Sequence, residues 1–184
     1  MSCGNRKTNK EIQYKEMTTA KLYTFSYADM RTYLAALLFT LGNLALPQLF
    51  HLIPDGGKIW LPIYFFTLIG TYKYGWKVGV LTAVLSPVVN SLLFSMPLPA
   101  VVPAILMKSL LLAVIGGFLA YKFKKVTLLL LACTVLSYQL LGTLGEWALT
   151  GDLHIALQDF RIAVPGMLLQ LFGGYAFLRF VLYK

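Results

Sequence analysis

The residues of this chain that could do chemistry are a few ionisable and amide side chains placed inside apolar segments. Lys108 lies within Pro99–Lys122, which is otherwise almost wholly apolar and about long enough to cross a bilayer. An ammonium group at that depth costs at least ~2.5–3.5 kcal/mol. A helix that faced only lipid would have no reason to keep such a charge. Lys108 therefore predicts a polar interior among several membrane-spanning helices, in which a ligand could bind.

The other candidate binding residues lie at a similar depth in the predicted helices. Gln139, Gly142 and Glu146 fall at i, i+3 and i+7, which places them on one face of a helix. Gly142 would leave room on that face for a ligand or for a neighbouring backbone. Aromatic walls with a few convergent polar groups describe a pocket for a small molecule. The predicted substrate-binding residues are Asn90, Lys108, Tyr138, Gln139, Glu146, Trp147, Arg161 and Gln170.

Simpler structural roles are open to the same residues. Lys108 and Glu146 could neutralise each other and hold two helices together. The buried amide side chains could form hydrogen bonds between helices, and Arg161 and Trp147 could anchor the protein at the membrane surface. These roles are compatible with a pocket. A pocket lined by both signs of charge suits a zwitterion, or a ligand that carries a carboxylate and amide groups.

The chain lacks the sequence patterns of common catalytic and nucleotide-binding sites. A phosphate-binding loop needs Gly-x-x-x-x-Gly-Lys-Ser/Thr, and after Gly70 and Gly75 the place of the lysine is taken by Trp76. No His-Glu-x-x-His and no Gly-x-Ser-x-Gly pattern occurs. His51 and His154 alone are too few for a metal site. We therefore expect a binding protein that is not an enzyme, with no cofactor and no bound metal.

Hydropathy predicts an all-α integral membrane protein with six spanning helices. Of its 184 residues, 58% are hydrophobic, which exceeds the ~45–50% typical of soluble domains. Residues 1–31 form a basic cytoplasmic tail, and residues 32–184 form the membrane domain. The predicted spans are Thr32–Ile53, Ile59–Tyr72, Val78–Met96, Ala100–Tyr121, Val126–Leu149 and Arg161–Tyr183. The second span is so short that we expect it to be tilted, kinked or shielded by its neighbours.

The basic residues predict how the bundle is oriented. If both termini are cytoplasmic, all of the 16 lysines and arginines except Lys58, Lys108 and Arg161 lie on the inner side. This distribution follows the positive-inside rule. It also accounts for the net charge of +9 without nucleic acid, because the charges alternate with spans and form no single stripe. On the outer side, Thr150–Phe160 is either a short amphipathic helix or a plain connector.

Pairs of small residues predict close contacts between helices. Gly75 and Gly79 form a Gly-x-x-x-Gly pattern at the start of the third span, and Ala36 and Thr40 form a weaker pair in the first. Such pairs either pack inside the bundle or, on a surface that faces lipid, provide a docking face for another membrane subunit. We predict that a partner docks at these four residues.

The segment Leu61–Lys125 resembles the middle of an S component of the energy-coupling factor (ECF) transporters. It begins LPIYFFTLIGTYKYGWKVGVLTAVLSPVVNSLL, with a short second helix and a turn at Tyr74-Gly75 into the third. Its fourth helix ends in Gly116-Gly117 and is followed by a basic loop. The count of six spans, the size of the chain and the topology with both ends inside are also similar, so the resemblance covers about residues 32–184.

That resemblance implies a substrate-binding subunit in a bacterial cytoplasmic membrane. Such a subunit would capture a water-soluble vitamin or a similar nutrient at the outer side. It would work with a separate transmembrane coupling subunit and two cytoplasmic ATPases. The alternative is a structural membrane protein of the rod-shape-determining D type, which is similar in size and fold and scaffolds the cell-wall machinery. That role does not require Lys108, Glu146 and Gln170 to converge on a cavity.

Overall fold

The computed structural model describes residues 25–50, 52 and 54–182, which form helices and no strand. Residues 1–24 of the predicted tail lie outside this part of the chain. The helices are α1 (Met30–Phe50), α2 (Gly56–Trp60), α3 (Pro62–Tyr74), α4 (Trp76–Phe94), α5 (Val102–Phe123), α6 (Leu128–Thr150), α7 (Leu153–Ile162), α8 (Val164–Leu168) and α9 (Gly174–Leu182). A 3₁₀ turn, Pro99–Val101, precedes α5, and a π-helical turn, Leu169–Gly173, joins α8 to α9. The predicted all-α class is confirmed.

Four of the described helices are long and apolar enough to cross a membrane. They are α1, α4, α5 with its 3₁₀ turn, and α6, which match the first, third, fourth and fifth predicted spans. The segment Val164–Phe180 passes the same test only together with α7, and the two are bent by 49° relative to each other. If this bent pair is counted as one span, the number of candidate spans among the described residues is five. The chain is therefore a multi-pass membrane protein.

The long helices expose leucines on their surface and bury polar residues together with apolar ones, unlike the helices of a typical soluble protein. Leu34, Leu38 and Leu129 are more than half exposed, whereas Asn43 and Gln139 are almost completely buried. Exposed leucines are stable in lipid, because lipid tails are as apolar as leucine. Polar groups gather inside because only other parts of the protein can satisfy their hydrogen bonds.

The short helix α3 lies at the centre of the bundle. It contacts α1, α4, α5 and α9, and Thr67, Leu68 and Ile69 have no exposed surface. Its 13 residues rise about 20 Å, whereas the hydrocarbon core of a bilayer is about 30 Å thick. The neighbouring helices therefore shield α3 from lipid, which is one of the three arrangements that its length led us to expect.

Asn43 joins three helices near the middle of the bundle. Its amide nitrogen donates to Thr67 Oγ1 at 2.9 Å and to Ser86 Oγ at 3.0 Å. Its Oδ1 accepts a hydrogen bond from the backbone N–H of Phe66 at 3.1 Å. The donors and the acceptor of this side chain are all used, so α1, α3 and α4 are fixed against one another. No sequence pattern singles out Asn43.

Three of the four residues predicted to dock a partner lie inside the bundle, which corrects the prediction for these three. Ala36 and Thr40 are buried. A Cβ atom added at Gly79 would overlap Thr71 Oγ1, so this glycine lets α4 lie directly against α3. Gly75, with a φ of 91°, forms the one-residue turn between these two helices. These small residues serve packing within the chain, and the three that are buried leave no surface for another subunit.

The two ends of the bundle differ in charge. At one end, α1 begins, and the ring of Phe25, five residues before it, stacks on the ring of Tyr74 at the end of α3. The basic residues at this end, which we call the basic end, include Arg31, Lys73, Lys77, Lys122, Lys124 and Lys125. At the other end, where α1, α4 and α6 finish, the described basic residues are Lys58, Lys108 and Arg161.

The variant Gly117→Ala should destabilise the bundle. Its methyl group would lie 2.9 Å from the Cα atom and 3.2 Å from the backbone nitrogen of Trp76, and backbone atoms cannot rotate away as a side chain can. We expect the free energy of unfolding to fall by about 1–3 kcal/mol, measured as a lower melting temperature in detergent. Gly173→Ala is the matched control, because its methyl group would meet only side-chain atoms at 3.4 Å or more. Equal melting temperatures for the two variants would contradict the close contact between α4 and α5.

Candidate functional site

A cavity of about 520 Å³ opens at the end of the bundle opposite the basic end, which we call the cavity end. Its floor is formed by buried residues of α4, α5 and α6, which are Asn90, Lys108, Gln139 and Glu146. Its rim is formed by exposed residues of two connections, which are Pro54, Asp55, Lys58, Met96 and Leu98. Sites for small molecules typically have volumes of ~300–1,000 Å³ and apolar walls with a few polar groups. The sequence therefore predicts four of the residues that line this cavity.

Lys108 and Glu146 form an ion pair in the floor. Lys108 Nζ donates to Glu146 Oε2 at 2.5 Å, and the two residues are 6% and 7% exposed. Either charge alone would be strongly unfavourable in such a buried site, and the attraction between the two offsets this cost. The mutual neutralisation that the sequence left open is thus present, and it joins α5 to α6.

Gly142 makes room for the ion pair. A Cβ atom at this position would overlap Lys108 Cγ, so the aliphatic stem of the lysine lies against the glycine. Gly145, one turn further along α6, accommodates Met107 in the same way. The space that Gly142 was expected to leave is therefore occupied by Lys108 and is not open to a ligand.

Two amide side chains complete the polar part of the floor. Asn90 Oδ1 accepts a long hydrogen bond of 3.5 Å from Gln48 Nε2. Gln139 is 1% exposed, and its Oε1 has no hydrogen-bond donor among the described residues. A buried acceptor without a donor costs about 1–3 kcal/mol. Gln139 is therefore a floor residue whose carbonyl oxygen is buried without a partner among the described residues.

Tyr138 and Gln170 lie behind the cavity wall and do not line it, which corrects their predicted role as contact residues. Tyr138 Oη donates to Gln170 Oε1 at 2.9 Å, and neither residue has exposed surface. The ring of Tyr138 is 5.5 Å from the ring of Tyr64, which does line the cavity. The hydrogen-bonded pair therefore supports the wall at Tyr64.

Trp147 and Arg161 do not line the cavity either, contrary to the prediction. Trp147 directly follows Glu146, and one residue turns a helix by about 100°. Glu146 therefore faces the interior, whereas Trp147 is 44% exposed. Arg161 belongs to the last turn of α7, where it is exposed. Both placements agree with the surface anchors that the sequence left open.

The connection before α3 contributes residues that the sequence patterns did not single out as a site. Asp55 and Lys58 bring opposite charges to the rim, and Tyr64 contributes an aromatic wall. Left-handed backbone at Asp55 (φ 53°) and at Leu61 (φ 48°) flanks α2 and folds this connection over the cavity. Residues other than glycine rarely adopt this conformation. The Pro-Asp-Gly-Gly run is the available sequence signal, and it predicts a turn without its direction.

The helices after α6 hold this connection in place. The predicted alternative of an amphipathic helix is realised as α7, whose first turn is capped by Asp152 Oδ1, which accepts from the backbone N–H of His154 at 2.8 Å. Beyond it, a Cβ atom at Gly166 would lie 2.6 Å from the carbonyl carbon of Trp60, so α8 packs directly on the backbone of α2. Ala163, the residue between α7 and α8, lines the cavity.

The cavity is equipped to bind a polar small molecule. Its floor offers an ammonium group, a carboxylate and two amides, and its walls include apolar residues of α3 and α5. In the part of the chain that the structure describes, no three His, Cys, Asp or Glu side chains are grouped so that they could hold a metal ion. The arrangement favours recognition by hydrogen bonds and shape.

The variant Lys108→Met should destabilise the protein more than the removal of another lysine from α5. It leaves the Glu146 carboxylate buried without the lysine, which costs about 3–5 kcal/mol. The double variant Lys108→Met/Glu146→Gln removes both charges, so we expect its melting temperature to recover most of the loss. Lys122→Met, at the exposed end of α5, is the matched control. A single variant as stable as this control, or a double variant as unstable as the single one, would contradict a structural ion pair.

Comparisons with known proteins add no assignment to this geometry. The chain matches no protein-family model, and no curated protein and no solved structure matches it at a significant level. The cavity and the side chains of its floor are therefore the features on which a functional proposal depends.

Proposed function

We propose that this chain is the substrate-binding membrane subunit of an importer of the energy-coupling factor type. The observation that carries the proposal is the cavity, whose floor combines the Lys108–Glu146 pair with the amides of Asn90 and Gln139. A water-soluble nutrient needs a polar and shielded site in the membrane, because the hydrocarbon core offers it no hydrogen bonds. In this proposal the cavity captures a small vitamin-like molecule from outside the cell.

The distribution of charge supports a cytoplasmic position for the basic end. Lysines and arginines collect in the short cytoplasmic connections of membrane proteins. Lys73, Lys77, Lys124 and Lys125 lie in or beside such connections at the basic end. The cavity end then faces the exterior of a bacterial cytoplasmic membrane. In this proposal α3 and the segment from α8 to α9 complete six spans, and both termini are cytoplasmic.

Other subunits would supply the energy for transport. The chain itself has no phosphate-binding loop, since Trp76 follows Gly75 where a lysine would be needed. A transmembrane coupling subunit and two ATPases, as in the transporters that the sequence resembles, would fill this role. Because Ala36, Thr40 and Gly79 are buried, the coupling subunit would contact a different part of the surface.

A structural membrane protein of the rod-shape-determining D type is the second candidate. It is favoured by the ion pair, since Lys108 and Glu146 neutralise each other without a ligand. A scaffold gives no reason for a cavity above that pair. The two candidates therefore predict different results when the cavity is blocked.

The variant Ala104→Phe should block the proposed site. Ala104 is a half-buried residue of α5 that lines the cavity, so a phenyl ring at this position fills part of the space and leaves the ion pair in place. We expect native mass spectrometry of the gently purified wild type to reveal a bound small molecule that this variant loses. Ala148→Phe, on the exposed face of α6, is the matched control and should keep the molecule.

Two results would count against the importer. If the wild type carries no small molecule and binds none of a panel of water-soluble vitamins, the proposal is wrong and the scaffold is preferred. If Ala104→Phe retains the molecule as well as Ala148→Phe does, the cavity is not the binding site.

A further inference from the structure

We infer that the ligand of this cavity carries no net charge. This inference rests on the proposed function and specifies its substrate class. The class comprises neutral and zwitterionic molecules. Their anionic and cationic relatives are disfavoured because the charges of the lining cancel and because a charged ligand would have to separate the ion pair in the floor.

The charges of the lining cancel one another. Among the described residues that line the cavity, Asp55 and Glu146 are acidic, and Lys58 and Lys108 are basic. One residue of each sign lies in the floor, and one of each sign lies at the rim, in the connection that contains α2. A ligand with a net charge would therefore meet no surplus of opposite charge in the lining.

A charged ligand would have to separate the ion pair between Lys108 and Glu146 in the floor. An anion could bind Lys108 only in competition with the Glu146 carboxylate, which is 2.5 Å from the ammonium group. If the anion succeeded, it would leave the carboxylate buried without the lysine, which is strongly unfavourable. A cation that bound Glu146 would leave Lys108 in the same position. A zwitterion can contact both residues without separating them.

Pairs of compounds that differ by one charge test the inference. Suitable pairs are a carboxylic acid and its amide or alcohol, such as nicotinic acid with nicotinamide, biotin with biotin amide, and pantothenic acid with pantothenol. We expect the full-length protein in nanodiscs to bind the uncharged member at least about tenfold more tightly, measured by isothermal titration calorimetry at neutral pH. A molecule released from the purified protein and identified by its accurate mass should likewise have no net charge.

The two ways in which the inference can fail are distinguishable. Tighter binding of the charged member, or release of a molecule with a net charge, would overturn the inference and leave the importer intact. If no member of any pair binds and no molecule is released, both the proposed function and this inference are wrong.

Variants of the lining identify the cause of the selectivity. Glu146→Gln gives the lining a positive surplus, so the charged member of each acid pair should gain about tenfold relative to the uncharged one. Asp55→Asn makes the same change of charge at the rim. Because the Asp55 carboxylate makes no capping hydrogen bond to α2, this variant replaces Glu146→Gln if that protein does not fold. Unchanged selectivity in both charge variants would overturn the inference.

Discussion

The buried ion pair between Lys108 and Glu146 constrains the rest of this bundle. A charge in the apolar part of a membrane is stable only beside an opposite charge or in polar surroundings, so α5 and α6 must lie close enough for Nζ and Oε2 to meet. Gly142 permits that approach, since a larger residue would displace the lysine stem. The same pair that joins the two helices also forms the floor of the cavity, beside the amide of Gln139. Structure and proposed binding thus depend on the same contact.

The short central helix provides the space above that floor. Because α3 is shorter than the helices around it, its first residues, Pro62, Ile63 and Tyr64, form part of the cavity wall. The connection that contains α2 covers the space beyond them, and its position depends on the packing of Gly166 against the backbone of Trp60. The contacts of Asn43 hold α3 among the longer helices. The cavity is therefore a result of helix lengths and of a few polar contacts.

The features that the sequence predicts are properties of single segments, and those that it does not predict depend on contacts between segments. The four long spans follow from length and apolarity, and the ion pair follows from the high cost of a lone buried charge. Whether Trp147 faces lipid or the cavity depends on how α6 is rotated, which its neighbours decide. The Pro-Asp-Gly-Gly run predicts a turn at Asp55, but no sequence signal predicts the left-handed backbone at Leu61. Gly79 shows the same small-residue pattern whether it packs inside the chain or against a partner.

Thiol accessibility at position 104 in intact cells tests most directly whether a water-filled cavity opens to the exterior. Ala104→Cys would be placed in a chain whose Cys3 and Cys133 are replaced by serine, and living cells would be treated with a membrane-impermeant maleimide. We predict rapid labelling at position 104 and none for Ala113→Cys, which is fully buried deeper in α5. Labelling of position 104 only after the cells are broken, or equal labelling at both positions, would contradict an outward-facing cavity.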